Sequence, residues 1–315
     1  MPDSQIELPP TSSHVDVQLL NGGSMMAEYH KLHKGEPAKK FRMYNWAFFI
    51  HHTGNGRKVI WDLGMSSNGD DFPPVIANGL LKEAQVEGPR ESIEAQIERR
   101  NGIKPAEIDN VLLSHAHFDH CRPVHNTFPN ATVYFGPGTS EHCAPGHLQN
   151  ESSMWDGRFF DPENATENWK TLEGPWKNFG PFEKAQDFFG DGSFWIIQAP
   201  GHMPGNLLAC AKLPTGDWVM LGSDCCHSRE LFTGEKEFAS FELPNGTTFC
   251  LHQDVPAARD TLERMRIMEA SFGAHVALAH DTAWMDKEND EVLLSLLDNE
   301  LRRDIRDALK HQAPF

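Results

Sequence analysis

The sequence predicts an α/β fold. Three observations carry that reading: short apolar or alternating runs recur along the whole 315 residues, three longer stretches show helical periodicity, and the chemically distinctive residues fall where strand-like runs end. In chain order the strand-like runs are Val15 to Leu20, Tyr44 to His51, Lys58 to Asp62, Val111 to Ser114 and Thr132 to Phe135. They continue with Phe194 to Gln198, Leu207 to Leu213, Trp218 to Leu221 and Val276 to Ala279. Helical periodicity covers Glu91 to Asn101, Ala257 to Phe272 and Asn289 to His311. Residues 136–192 break the pattern, with many aromatics among Pro and Gly, and read as a loop insertion. No repeat or low-complexity segment is visible. One domain over residues 1–315 suffices, because a chain this long at 39% hydrophobic residues buries a sizeable core.

Composition narrows the function. A formal charge of -17 argues against a nucleic-acid partner, which would need a basic surface. No apolar run approaches a membrane span, and Met1-Pro-Asp-Ser-Gln-Ile-Glu7 lacks the basic start and apolar core of a secretory signal. Cys121, Cys143, Cys210, Cys225, Cys226 and Cys250 show no framework spacing, so a reducing compartment, the cytoplasm, is expected. Cys121, Cys225 and Cys226 neighbour candidate ligands but suit the role of small buried hydrophobes.

The most informative run is Val111-Leu-Leu-Ser-His115-Ala-His117-Phe-Asp119-His120, which places four good metal ligands directly after a strand-like stretch. In extended backbone, side chains two apart point the same way, so His115 and His117 can share one ion. Asp119 and His120 point differently and suit a second. Zinc accepts such nitrogen and oxygen donors in open sites, and a hydroxide shared by two ions forms near neutral pH. That hydroxide is the expected nucleophile, while the ions also polarise a carbonyl and hold the leaving oxygen. Manganese, iron and cobalt would accept the same donors.

This run resembles the metal-binding signature of the metallo-β-lactamase superfamily, and further matches follow in order. Val59-Ile-Trp-Asp62-Leu-Gly64 resembles the family's early strand ending in Asp and Gly, and Ala199-Pro-Gly-His202-Met-Pro-Gly205 its Pro-Gly-His turn. Leu221-Gly-Ser-Asp224 resembles the strand end whose carboxylate bridges two metals. Ala274-His275-Val-Ala-Leu-Ala-His280 resembles the last strand ending in a histidine ligand. The resemblance implies a four-layer αββα sandwich. It also implies one zinc on His115, His117 and His202, a second on Asp119, His120 and His280, and Asp224 between them. The ligand set is similar to that of N-acyl homoserine lactonases and of fungal lactone and lactam hydrolases. Bacterial lactonases carry a tyrosine three residues after the bridging aspartate, where this chain has His227.

His227, with Asp119 and Asp224, completes the candidate catalytic set: an imidazole there could donate a hydrogen bond to an oxyanion or protonate a leaving group. Asp62 either orients a ligand histidine or caps a turn with Gly64. Met25 and Met26 fit ordinary packing, with the pocket mouth as the alternative. Trp155, Phe159 and Phe160 are expected to line the substrate pocket, although their segment could instead form a homodimer contact or an aromatic cluster of its own. His125, His142, His147 and His252 read as structural, and His51 and His52 as exposed. The function so implied is hydrolysis of a small cyclic ester or cyclic amide. Alternatives are a thioesterase, with Arg302, Arg303, Arg306 and Lys310 as the cationic rim for an anionic carrier, and an iron-dependent oxygenase on the same fold.

Overall fold

The strand expected at Tyr44 to His51 runs from Lys40 to His52 in the computed structural model, which describes residues 6–314, and its side chains sort by period two. Tyr44, Trp46, Phe48 and Ile50 enter one buried cluster, whereas Ala47 and Phe49 enter another on the opposite face. A strand buried on both faces belongs inside a layered protein.

The strands are β1 (Asp16–Glu28), β2 (Lys40–His52), β3 (Arg57–Trp61), β4 (Asn110–Leu112), β5 (Thr132–Phe135), β6 (Trp169–Thr171) and β7 (Lys177–Phe179). They continue as β8 (Phe182–Asp187), β9 (Phe194–Gln198), β10 (Leu207–Lys212), β11 (Trp218–Ser223), β12 (Phe241–Glu242), β13 (Thr248–Phe249) and β14 (His275–Leu278). One mixed sheet has the order β1-β2-β3-β4-β5-β6 and the other β14-β11-β10-β9-β8-β7; β12 and β13 form a separate hairpin. The pairs β3–β4, β4–β5, β5–β6 and β11–β14 are parallel.

Apolar clusters mark the layers. Trp46, Phe48 and Trp61 of the first sheet meet Ile196, Ala209 and Leu221 of the second in the central core. Outside the first sheet, Ile93 and Ile97 of the helix Ile93–Asn101 pack on Phe49, Ile60 and Val111. Outside the second, Leu262, Met265 and Met268 of the helix Val255–Phe272 cover Ile197, Leu208 and Met220. Helix, sheet, sheet, helix is the expected αββα sandwich. Among the described residues no helix is long and apolar enough to cross a membrane. All six cysteines are free, and Cys121, Cys225 and Cys226 are buried.

Several expectations need correction. β1 does not stop at Leu20: it passes a bulge between Asn21 and Ser24 and carries Met25 and Met26 onward. The bulge requires glycine, since Gly23 has φ of 93° and a Cβ there would lie 2.5 Å from the Glu87 carbonyl oxygen. The helix expected over Asn289 to His311 is two helices, Glu291–Leu294 and Asn299–His311. Between them the Leu296 carbonyl accepts from the Leu19 N–H and from Arg100, and Asp298 caps the second helix by accepting from the Leu301 N–H.

Residues 136–192 are not a loop insertion. They supply β6 to the edge of the first sheet and β7 and β8 to the edge of the second, with short helices Thr139–Cys143 and Gly157–Phe160 between. Phe159 and Phe160 are fully buried beside Phe135 and Trp169 and therefore belong to the core rather than to a substrate pocket. His52 is buried as well, its Nε2 2.6 Å from Asp191 Oδ2.

Candidate metal centre

β3, β4, β11 and β14 all end at the same rim of the sandwich. The segments that follow them, together with the turn between β9 and β10, bring the sequence-derived ligands into two groups. His115, His117, His202 and Asp224 form one; Asp119, His120, His280 and Asp224 form the other, with the ligand atoms of each within 4.8 Å of one another. Asp224 divides its carboxylate between them. Its Oδ2 lies 3.7 Å from His115 Nε2 and 3.5 Å from His202 Nε2, and its Oδ1 lies 3.3 Å from His120 Nε2 and 3.2 Å from His280 Nε2. Asp119 Oδ2 approaches His120 and His280 at 3.6 and 3.4 Å, and His117 Nδ1 faces His202 Nε2 at 2.9 Å.

This arrangement fits cations. Nε2 of His115, His120 and His280 and Oδ1 of Asp224 are buried without a hydrogen-bond partner. Buried polar atoms left unpaired are costly, and one cation in each group would satisfy all four. The electrostatics agree. Burial opposes charge on His280, yet Asp224 and Asp119 raise its pKa to about 10. Burial likewise opposes charge on His120, and the same carboxylates together with Asp62 raise its pKa well above the usual value. Protons on these two rings thus stand where positive charge is wanted. His115 and His202 are pushed well below their ordinary range by burial, and His117 to about 4, which leaves neutral nitrogens suited to ligation.

Neighbouring groups set the orientation of these rings. Asp62 Oδ1 accepts from the Ser114 N–H at 2.7 Å, while its Oδ2 accepts from Ser114 Oγ at 2.8 Å and faces His120 Nδ1 at 2.9 Å. Of the two roles weighed for Asp62 the structure supports the first: its carboxylate bonds Ser114 across the strand ends and turns His120 Nε2 inward, with no bond to the Gly64 turn among the described residues. His280 Nδ1 reaches the Tyr44 carbonyl at 2.8 Å to the same effect. Asp62 and Ser223 hold φ of 59° and 45°, left-handed conformations that side chains disfavour, so both turns beside the ligands are strained. Asp62→Asn is expected to weaken metal affinity by about 10- to 100-fold, since its one oxygen can still accept from the Ser114 N–H but the NH₂ in place of Oδ2 cannot accept from His120 Nδ1–H. Competition against a chromophoric chelator measures the change, and unaltered affinity would show that Asp62 is only a turn residue.

His227 lies against both ligand groups. Its Nε2 is 3.3 Å from Asp224 Oδ2, and its ring stacks on His280 with centroids 5.6 Å apart and planes 3° from parallel. It lines a cavity of about 490 Å³ with His117, Asp119, His202, Asp224 and His280. Met25 and Met26 line the same cavity, so the pocket-mouth alternative describes them, and Met154 joins them in place of Phe159 and Phe160. Trp155 instead stacks on His117, with centroids 5.6 Å apart and planes at 16°. Arg302 and Arg306 pair with Glu288, and the basic residues in the cavity lining are Lys31 and Lys40.

Local spacing offered no signal for His252. It is buried beside Phe238 with both ring nitrogens unpartnered, 5.3 Å from His202 and 5.4 Å from His227 between ring centroids. The adjoining Gln253 and Asp254 N–H groups hold the carbonyls of His202 and Gly201, so this loop buttresses the Pro-Gly-His turn.

Comparison with known proteins places these features. Residues 42–222 match the family described as the metallo-beta-lactamase superfamily. The chain is 28% identical over 302 residues to a protein of Penicillium brevicompactum named cytochrome P450 monooxygenase mpaDE′, covering 90% of this chain and 35% of that one. It thus spans about a third of that relative's length. It is 29% identical over 252 residues to a gamma-lactamase of Fusarium pseudograminearum, covering 71% of this chain and 57% of that protein. A solved N-acyl homoserine lactone hydrolase, with N-hexanoyl-L-homoserine bound at its catalytic metal centre, is similar with a TM-score of 0.64 at 17% identity, over 88% of this chain and 97% of that one.

Proposed function

The chain belongs to the metallo-beta-lactamase superfamily, and from that premise we propose that it is a dinuclear metal hydrolase that opens a small cyclic ester or cyclic amide. The observation that carries this reading is Asp224, whose two oxygens face two separate groups of nitrogen and oxygen donors. His115, His117 and His202 would hold one ion, and Asp119, His120 and His280 the other. When bound, such a pair acidifies water to a nucleophile at neutral pH and withdraws electron density from a carbonyl. Asp62 and the Tyr44 carbonyl keep His120 and His280 turned toward that position. His227 would present Nε2 to the oxygen or nitrogen that leaves. The cavity beside it, with Met25, Met26, Met43, Met154 and Phe118 in its lining, suits a ring bearing apolar substituents.

The relative named as a gamma-lactamase supports ring opening over other hydrolyses. The donor set suits zinc, with manganese, iron and cobalt as chemically competent substitutes. Metal analysis of the purified protein is expected to return close to two transition-metal ions per chain. Chelation should abolish hydrolysis of lactones or lactams in a substrate panel, and added zinc should restore it. Full activity with one ion or none would overturn the proposal.

A further inference from the structure

The hairpin β12–β13 belongs to neither sheet of the sandwich. Its strands have two residues each, and the backbone bonds at its tip, from Leu243 N–H to the Thr247 carbonyl and from Gly246 N–H to the Leu243 carbonyl, stay within it. Two points fasten it to the body. Before it, the Ala239 N–H donates to the Leu32 carbonyl; after it, the Gln253 and Asp254 N–H groups donate to the carbonyls of His202 and Gly201. Among the described residues, no backbone hydrogen bond joins residues 240–252 to either sheet or to a helix. A two-stranded hairpin is marginally stable by itself, and a segment held only at its ends opens at low cost.

The side chains on the returning strand face the metal centre's cavity. Phe249 and Leu251 line that space of about 490 Å³ together with Met25, Met26 and Leu80 of other elements. Both are half-buried, and neither packs into any of the three apolar clusters of the sandwich. Phe249 stacks on Phe241 with centroids 4.9 Å apart, and Phe241 in turn lies 5.6 Å from the ring of His30 in the helix Tyr29–Leu32. Residues 244–248 are exposed. The apolar side chains of this hairpin therefore gain further burial from whatever enters the cavity, not from the core.

We propose that the β12–β13 hairpin is a lid over the cavity and that Phe249, with Leu251, selects substrates by the apolar substituent on their ring. The lid closes on that substituent, and its second fastening is the turn that carries His202. This inference takes the cavity as the substrate site, but it is tested by occupancy alone. Failure of a lactone and lactam panel would strike the hydrolase reading and leave the lid standing.

The probes are 2-butylcyclopentanone and 2-hexylcyclopentanone, whose rings contain no bond open to hydrolysis, titrated calorimetrically into the metal-loaded protein. Two added methylenes should tighten binding to the wild type about tenfold. In Phe249→Ala that increment is expected to fall below about threefold, and Phe249→Leu should recover most of it, because an aliphatic side chain still covers the substituent. Hydrogen exchange on the wild type is independent of any variant's folding: the hexyl ketone should slow exchange of the amides in 240–252 at least about fivefold. An increment equal in wild type and Phe249→Ala would overturn the proposal. So would unchanged exchange in the hairpin at saturating ketone, or a wild-type protein that does not bind the hexyl ketone.

Discussion

Asp224→Ala is expected to yield a folded protein that has lost both metal ions and at least about a thousandfold in kcat/KM, equivalent to roughly 4 kcal/mol of barrier. Among the described residues no other serves both ligand groups, since each of its oxygens faces a different pair of candidate ligand histidines at 3.2 to 3.7 Å. Removing the carboxylate therefore weakens two sites at once, whereas loss of a single histidine weakens one. The charge argument runs in the same direction. Asp224 heads the attractive charges on His280, raised to about 10, and on His120, raised well above its usual value. Without it, two buried rings lose the anion that offsets their burial, and their nitrogens are left facing one another. The metal-free variant should therefore melt below the metal-free wild type, and the stabilisation that added zinc gives the wild type should vanish. Elemental analysis with thermal melts in the presence and absence of zinc measures both effects. Retention of two ions and full activity would mean that the bridge is misassigned.

The ligands were legible because each follows a strong local pattern. His115, His117, Asp119 and His120 sit within six residues behind an apolar run, and Asp224 and His280 end apolar strands. Mostly apolar runs, buried on both faces, made β2, β9 and β11 readable for the same reason. What was illegible depends on partners far away in the chain. Trp155, Phe159 and Phe160 are close in sequence and look alike, yet Trp155 stacks on a candidate ligand while the phenylalanines fill a core beneath β5. Only tertiary packing separates them. β6 and β7 are three-residue edge strands and β8 lies between β7 and β9; Pro and Gly punctuate the segments between them, and pairing with neighbours decides their state. His252 carries no motif of its own. Its place is set by the hydrogen bonds its loop makes to the turn at Gly201 and His202.

Among single-residue changes outside the ligand groups, His227→Ala is expected to have the largest effect, lowering kcat by roughly ten- to a thousand-fold while both ions remain bound. The geometry separates chemistry from ligation. His227 belongs to neither ligand group, yet its Nε2 lies 3.3 Å from Asp224 Oδ2 and its ring stacks face to face on His280. An imidazole so placed can donate to an oxyanion or hand a proton to the departing atom, and it can also act as a spacer that holds His280 in place. His227→Phe distinguishes these roles, because it keeps a flat ring against His280 and removes the donor. If proton donation is its role, both variants lose kcat with little change in KM. The loss should then be smaller for aryl lactones, whose phenolate leaves without a proton, than for lactams, whose amine cannot. If spacing is its role, the phenylalanine variant recovers the rate that the alanine variant loses. Metal content measured on both variants completes the test: unchanged kcat would make His227 a structural turn residue, and lost metal would make it a ligand.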